Sequence, residues 1–455
     1  MSTPHLTPIL SCLDHGSITA TLSSPPLHPY QSPNFSIPAP ILRHLRMASD
    51  HLHAGRTVAF PTETVYGLGA STLSSSAVSL IYKIKNRPSD NPLIVHVSSL
   101  DMLQRLLPPS YTLSPLYKAL ISSFWPGPLT LLFPSPNPPP LPAPQTLATR
   151  MPAHPLALAL ISVSDLPLSA PSANSSGRPS PTTAEHVRND LAGSEGLGCI
   201  LDGGSCDVGV ESTVVNGLDW REGGGGSVDV LRPGGLGVEE IARIVQEVDG
   251  KAGRTQVLVL GKPWNGGKII ELSGETKKKN EEVKLAPVTP GQKYRHYSPR
   301  VPVYLLLPSN TFPSPPSSST KRFVPTEVIQ HIVSHHKVKR LGLLHYDESP
   351  LSHQLLAAKS EGLEIIPSSL GRDATSGAQR LFSGLLSLES QHRRTVDDNE
   401  DQIGVDAILV EGCSEEGIGL AVMERLGKAV GGGGKTGDVG NDDHQGEVGR
   451  YWVQV

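Results

Sequence analysis

The sequence predicts an α/β protein of two domains, and three features carry that prediction. Short apolar runs alternate with stretches of helical periodicity, the pattern of strands joined by helical crossovers. The pattern breaks from about Gly250 to Lys284, where the chain turns polar and charged, and resumes beyond Pro302. At 455 residues the chain exceeds one ordinary domain and falls short of four, which agrees with two domains and connectors.

Residues 1–42 contain no Lys or Arg, a single acid (Asp14) and many Ser, Thr and Pro. That composition argues against a mitochondrial presequence or a secretory n-region and predicts a flexible tail over residues 1–38. Met47 offers an alternative start. Pro40 to His53 can form a helix, after which the stretch from Arg56 to Val97 reads strand, polar turn, helix, basic turn, strand. Pro61 stops the first strand, because proline fixes φ and cannot donate to a ladder, and leaves Thr62, Glu63 and Thr64 at its mouth. Leu73, Ala77, Leu80, Ile81 and Ile84 recur at helical spacing, with Ser74 to Ser76 as candidate N-caps and Pro88 ending the run. Lys85 and Arg87 fall where that helix gives out. In Pro92 to Val97, Leu93, Val95 and Val97 share one face, Ile94 and His96 the other. Singly these residues suit turn hydrogen bonds, a solvated helix end and a satisfied strand histidine. Together they put hydroxyls, a carboxylate, cations and an imidazole at turns, where ligands bind in open α/β sheets.

Helical stretches at Leu100 to Leu107 and Tyr111 to Ser123 lead to a turn at Trp125, Pro126 and Gly127 and a further strand. Pro134 to Pro144 is a proline-rich loop with polyproline II character. Next comes a short strand carrying Arg150, then a helix over Leu156 to Val163. An arginine at a strand end suits bidentate capture of a carboxylate, a surface salt bridge being the alternative. Ser172 and Asn174 flank Ala173 on a tight turn, and Ser180 precedes a helix starting near Thr182 or Thr183. Such small polar residues let a phosphate or ribose approach the backbone, although a plain Ser/Pro loop with a helix cap has the same composition. Asp202, Gly203 and Gly204 make a turn, Ser212 and Thr213 open a strand facing the same cavity as Thr64, and Arg232 sits at another rim past the hairpin tip Gly223 to Gly226. No GxxxxGK[ST] loop occurs, so a nucleotide would need a different cradle.

Lys284, Lys293, Arg295, His296 and Arg300 then follow with no acid among residues 284–300, interleaved with Tyr294 and Tyr297. VYLLLP, RLGLLHY, LEIIP and DAILVEG are strand-like and alternate with helical stretches at Ala378 to Leu388 and Leu420 to Val430. They predict a small parallel sheet with right-handed crossovers and no catalytic constellation, YWVQV docking back as a short strand. The net charge of −4 argues against a surface coated in basic residues for nucleic acid. The four cysteines, Cys12, Cys199, Cys206 and Cys413, lack zinc or disulfide-framework spacing, and no run reaches the ~20 apolar residues of a membrane span. A soluble cytoplasmic protein without membrane partners is the expectation.

PTETVYGLGA, KNRPSDNPLIVHV, FWPGPLTLLF, LATRMPAHP, LSAPSANSSGRPSPT, GVESTVV and LRPGG, in that order, resemble the YrdC-like domain of threonylcarbamoyl-AMP synthases from about Arg56 to Gly235. APVTPGQKYRHYSPR resembles the linker of the long two-domain form of that family, and GIGLAVMERLGKA its end. The resemblance implies a YrdC-like twisted mixed sheet with flanking helices over residues 39–248, a linker folding over the active site at 249–300, and a smaller Rossmann-like parallel-sheet domain at 301–455. It implies condensation of L-threonine, bicarbonate and ATP to threonylcarbamoyl-AMP with release of pyrophosphate. Lys85 and Arg87 match the Lys-x-Arg pair that meets charge at the α-phosphate. Arg87, Asn91, Thr146, Ser172, Asn174, Ser180, Arg232, Tyr294 and His296 are then ATP contacts, while Thr64, His96, Arg150, the Ala170 backbone and Ser212 hold threonine. Magnesium is expected with ATP, held mainly by phosphate oxygens. The product is expected to pass to a tRNA threonylcarbamoyl transferase complex, RNA contact by this chain being weak. Two other classes share the domain: regulators that bind double-stranded RNA, which would show degraded motif pairs, and hydrogenase-maturation carbamoyltransferases, which carry paired-cysteine zinc modules.

Overall fold

The computed structural model describes residues 7–136, 146–250, 253–270, 296–313, 321–358, 362–390, 404–430 and 449–455. The chain divides into two compact units, Met1–Ser176 with Ser180–Tyr294, and Gly177–Pro179 with Arg295–Val455.

The first unit opens with β1 (Ile9–Ser11) and a hairpin of β2 (Thr19–Thr21) and β3 (Asn34–Ser36), followed by α1 (Ala39–His53). β4 (Thr57–Phe60) stops at Pro61 as its chemistry requires, and β5 (Gly67–Ser71) returns antiparallel to it. α2 (Ser75–Lys85) starts where the Ser74 hydroxyl accepts from the Ala77 amide and ends at Asn86, whose left-handed φ of 50° breaks the helix. β6 (Val95–His96), α3 (Leu100–Leu106), α4 (Pro115–Phe124), β7 (Leu129–Pro134) and β8 (Thr146–Arg150) come next. α5 (Pro155–Ser164), β9 (Leu168–Ser169), α6 (Ala184–Leu191) and β10 (Leu197–Asp202) lead to the hairpin of β11 (Thr213–Asn216) and β12 (Ser227–Arg232). α7 (Val238–Asp249), β13 (Gln256–Val259), β14 (Lys262–Asn265) and β15 (Lys268–Ile269) close the unit.

Among the described residues, thirteen strands form one mixed sheet in the order β1-β10-β4-β5-β9-β6-β8-β7-β11-β12-β13-β14-β15. Tyr66, Leu68, Val78, Ile81, Val187 and Leu191 belong to one core cluster that seats α2 and α6 on this sheet.

Three expectations are corrected here. Residues 7–38 are not a flexible tail: β1 pairs in parallel with β10, Ile9 opposite Ile200, and Leu10, Cys12 and Ile18 are buried. A chain almost without charge can still be held by three residues that complete a sheet edge. Met47 lies within α1, downstream of that strand. The segment 249–300 is not all linker, because β13 extends the sheet parallel to β12 and β14 and β15 continue it. The strand expected over Pro92 to Val97 shrinks to Val95–His96, with both of its faces buried. Tyr294, most of the proline-rich tract and the polar stretch 271–295 lie outside the described residues.

In the second unit, β16 (Val303–Pro308), β17 (Arg322–Phe323), α8 (Pro325–His336), β18 (Arg340–Tyr346) and α9 (Pro350–Ala357) are followed by β19 (Glu364–Gly371), α10 (Ala374–Ser390), β20 (Ala407–Glu411), α11 (Gly419–Ala429) and β21 (Arg450–Val453). The sheet order is β17-β21-β16-β20-β18-β19, every pairing parallel, as the alternation predicts. YWVQV supplies most of β21, which lies inside the sheet between β17 and β16, with Tyr451 and Val453 in the core.

Candidate active site

The site grows out of sheet register. His96 on β6 stands opposite Arg150 on β8, Arg150 opposite Thr130 on β7, and Val214 on β11 pairs with both Thr130 and Arg232 of β12. Cross-strand partners project to one face, so an imidazole, two guanidiniums and a hydroxyl, with Val214 between Thr130 and Arg232, form a row across five strands, the β11–β12 register shifting just past Val214. Ser212 joins the row: its hydroxyl lies 2.8 Å from Thr130 Oγ1, and Arg232 Nη2 donates to its carbonyl at 2.9 Å and its Oγ at 3.2 Å.

Arg150, 3% exposed, is fixed from three sides. Nε donates to the Gly127 carbonyl at 3.1 Å, Nη1 donates to Thr64 Oγ1 at 2.9 Å, and Nη2 lies 2.6 Å from Glu63 Oε1. The turn that Pro61 forces delivers these partners. Thr62 Oγ1 lies 2.8 Å from Thr64 Oγ1 and donates to the Val65 carbonyl at 2.7 Å, while Glu63 Oε2 accepts from the Ala153 amide at 3.0 Å. Glu63 and Thr130 are absent from the site residues expected from sequence. The signal available for Glu63 is its place at the strand mouth, since a buried arginine requires a counter-charge.

His96 is buried against Phe60, ring centroids 6.4 Å apart and edge to face. Burial, and after it the charge of Arg150, pushes its pKa down to about 3, so the imidazole is neutral at ordinary pH. Its Nδ1 has no hydrogen-bond partner, and the close pair Glu63 Oε1 and Arg150 Nη2 lies outside hydrogen-bond alignment. Buried groups of this kind, imperfectly aligned with one another, have hydrogen-bonding capacity that a polar ligand could meet. The Ala170 amide donates to the Ile94 carbonyl at 2.9 Å, which ties its backbone to β6 beside His96.

The second half of the site hangs on the last turn of α2. Lys85 Nζ donates to the carbonyls of Ser172 and Asn174, and the Lys85 carbonyl accepts from the Ser176 amide at 2.7 Å. One side chain thus joins the Lys-x-Arg and Ser-x-Asn segments. At 1% exposure, burial and then the charge of Arg87 hold the Lys85 pKa well below its ordinary value. Arg87 is half-buried and donates to the Asn91 carbonyl at 3.1 Å and the Pro92 carbonyl at 2.8 Å, shaping the basic turn. Asn91 is buried beneath it. Ser180 Oγ donates to Glu211 Oε1 at 2.6 Å beside Ser212. Thr146 stands apart, at the far end of β8 from Arg150, about 13 Å away along the strand. His296 belongs to the second unit, where its ring centroid is 5.6 Å from that of Tyr297, itself stacked on Phe382.

The fold and this site define an α/β enzyme with a YrdC-like unit joined to a parallel-sheet unit. Residues 50–234 match the Sua5/YciO/YrdC family model, described as telomere recombination, and residues 238–431 match that of the threonylcarbamoyl-AMP synthase C-terminal domain. The threonylcarbamoyl-AMP synthase of Schizosaccharomyces pombe is 42% identical over 435 residues, 89% of this chain and 92% of that one. Its Pyrococcus abyssi counterpart is 37% identical over 390 residues, 85% and 94% of the two chains. The crystal structure of P. abyssi Sua5 complexed with L-threonine has a TM-score of 0.60 and 34% identity, and covers 85% of this chain and 94% of that one. The chain belongs to the threonylcarbamoyl-AMP synthase family in its long two-domain form.

Proposed function

We propose that the row from His96 to Ser212 binds L-threonine and that the Lys85-pinned turn, with the basic turn beside it and Arg232 at the rim, binds ATP. The chain is a threonylcarbamoyl-AMP synthase, condensing L-threonine, bicarbonate and ATP to threonylcarbamoyl-AMP with release of pyrophosphate. Arg150 and Thr64 would take the threonine carboxylate, with neutral His96, Ser212 and the Ala170 carbonyl as further polar partners. A carbamate formed on the amine attacks the α-phosphate and pyrophosphate leaves. Charge developing on the phosphate oxygens would meet Arg87 and Arg232, fixed in place by backbone carbonyls. Lys85 donates to both carbonyls of the turn, shaping it around Ser172 and Asn174 for the nucleotide.

The observation that carries this reading is the cluster of buried polar atoms at Glu63, Arg150 and His96. Magnesium would enter on the phosphates of ATP, as part of the substrate. Among the described residues no three His, Cys, Asp or Glu side chains form a group able to cage a metal ion. None of the described helices is long and apolar enough to cross a membrane. The proposal extends to delivery of the adenylate to a tRNA threonylcarbamoyl transferase complex in the cytoplasm, with weak RNA contact by this chain. Pyrophosphate release from magnesium and ATP should require both threonine and bicarbonate, and should collapse in Arg150→Gln. Release independent of threonine would overturn the proposal.

A further inference from the structure

We infer that Glu63 is a specificity-determining residue: with Arg150 it makes a buried, electrically neutral pair matched to the zwitterion of an α-amino acid, so that the site rejects carboxylates lacking an ammonium. This rests on the placement of threonine at Arg150 proposed above.

Glu63 and Arg150 are 8% and 3% exposed, and their facing atoms Oε1 and Nη2 stand 2.6 Å apart without hydrogen-bond alignment. Two of the five N–H donors of Arg150 and one oxygen of Glu63 are anchored to the protein. Arg150 gives Nε to Gly127 and Nη1 to Thr64, while Glu63 gives Oε2 to the Ala153 amide. That leaves Nη2 and Oε1 facing each other as a close ion pair without hydrogen-bond alignment, each with capacity to spare. A carboxylate can accept at about four positions, so Oε1 can take an ammonium while Glu63 keeps its anchor on Ala153.

Charge balance gives the pair its selectivity. A buried arginine alone would carry a net positive charge and favour any small carboxylate. Glu63 cancels that charge, so a simple anion would leave the site with an uncompensated negative charge in a low-dielectric setting, whereas a zwitterion leaves it neutral. Neutral His96 opposite Arg150 does not alter the count. The backbone around Glu63 is held independently of its carboxylate, since its carbonyl accepts from the Val208 amide at 2.8 Å and the Thr64 carbonyl accepts from the Gly209 amide at 3.1 Å. Glu63→Gln therefore removes charge while keeping shape and the acceptor for Ala153.

The test is calorimetric titration of L-threonine and of 2,3-dihydroxybutyrate, in which a hydroxyl replaces the ammonium, into the wild type, Glu63→Gln and Arg150→Gln. The wild type should prefer threonine by on the order of a hundredfold. Glu63→Gln should lose roughly ten- to hundredfold in threonine affinity while binding the hydroxy acid at least as well as before. Parallel weakening of both ligands in Glu63→Gln, with threonine binding abolished in Arg150→Gln, would reduce Glu63 to a brace and overturn this inference alone. Unchanged threonine binding in Arg150→Gln would overturn the placement of threonine as well. Should Glu63→Gln fail to fold, near-equal affinities of the wild type for the two ligands would suffice to overturn the inference.

Discussion

Replacing Lys85 with methionine separates the two jobs this side chain can do. Met keeps the length and the apolar stem of lysine but removes the ammonium that donates to the Ser172 and Asn174 carbonyls. The buried Asn174 carbonyl left without a donor costs about 1–3 kcal/mol, and the part-buried Ser172 carbonyl adds less, for about 2–5 kcal/mol together. Part of that is offset, because burial already disfavours the charged amine in the native state. A net loss of about 1–4 kcal/mol corresponds to roughly 2–16 °C in Tm for a unit of this size. The shift should also depend on pH. A lysine whose native pKa is depressed binds fewer protons folded than unfolded, so its contribution to stability grows as pH rises toward the ordinary lysine pKa of about 10. Lys85→Met should flatten that slope. The assays are thermal melts from pH 7 to pH 10 and ATP titration. A variant that melts within about 1 °C of the wild type and binds ATP equally well would refute the account of Lys85 as the pin of the nucleotide turn.

The remaining predictions concern His96 and the amino-terminal strand. Because the His96 pKa sits near 3, the pH–rate profile between pH 5 and 9 should contain no limb that disappears in His96→Gln. The same depression means that native protein binds fewer protons than unfolded chain between about pH 6.5 and pH 3. Wild-type stability should fall as pH drops through that window, and His96→Gln should soften the fall, read from urea midpoints. Deleting residues 1–38 removes the buried Leu10 and Ile18, each contributing up to about 1.5–3 kcal/mol, and bares the outer edge of β10. We expect a Tm lowered by about 6 °C and a tendency to associate, followed by calorimetry and light scattering.

Local chemistry was legible in the sequence wherever one residue type dictates the outcome. Pro61 ends β4, Ser74 caps α2, and the alternation beyond Pro302 becomes a parallel sheet. The ordered motifs also put Lys85 in the same neighbourhood as Ser172 and Asn174. What stayed hidden depends on partners distant in sequence. Nothing near Arg150 announces that its counter-charge is Glu63, or that Thr130 sits beside Ser212, because sheet order sets both. β1 was missed because three residues cannot display a period and their neighbours carry almost no charge. β13 to β15 were missed because an edge hairpin with one solvent face is polar enough to read as linker.

The account stands most directly on the product itself. Wild-type protein incubated with magnesium, ATP, L-threonine and ¹³C-bicarbonate should yield threonylcarbamoyl-AMP one mass unit heavier than with unlabelled bicarbonate. Omitting threonine or substituting Arg150→Gln should abolish it. Folded wild-type protein that releases pyrophosphate without forming a labelled adenylate, or forms none under any combination of these substrates, would contradict the assignment of this site to threonylcarbamoyl-adenylate synthesis.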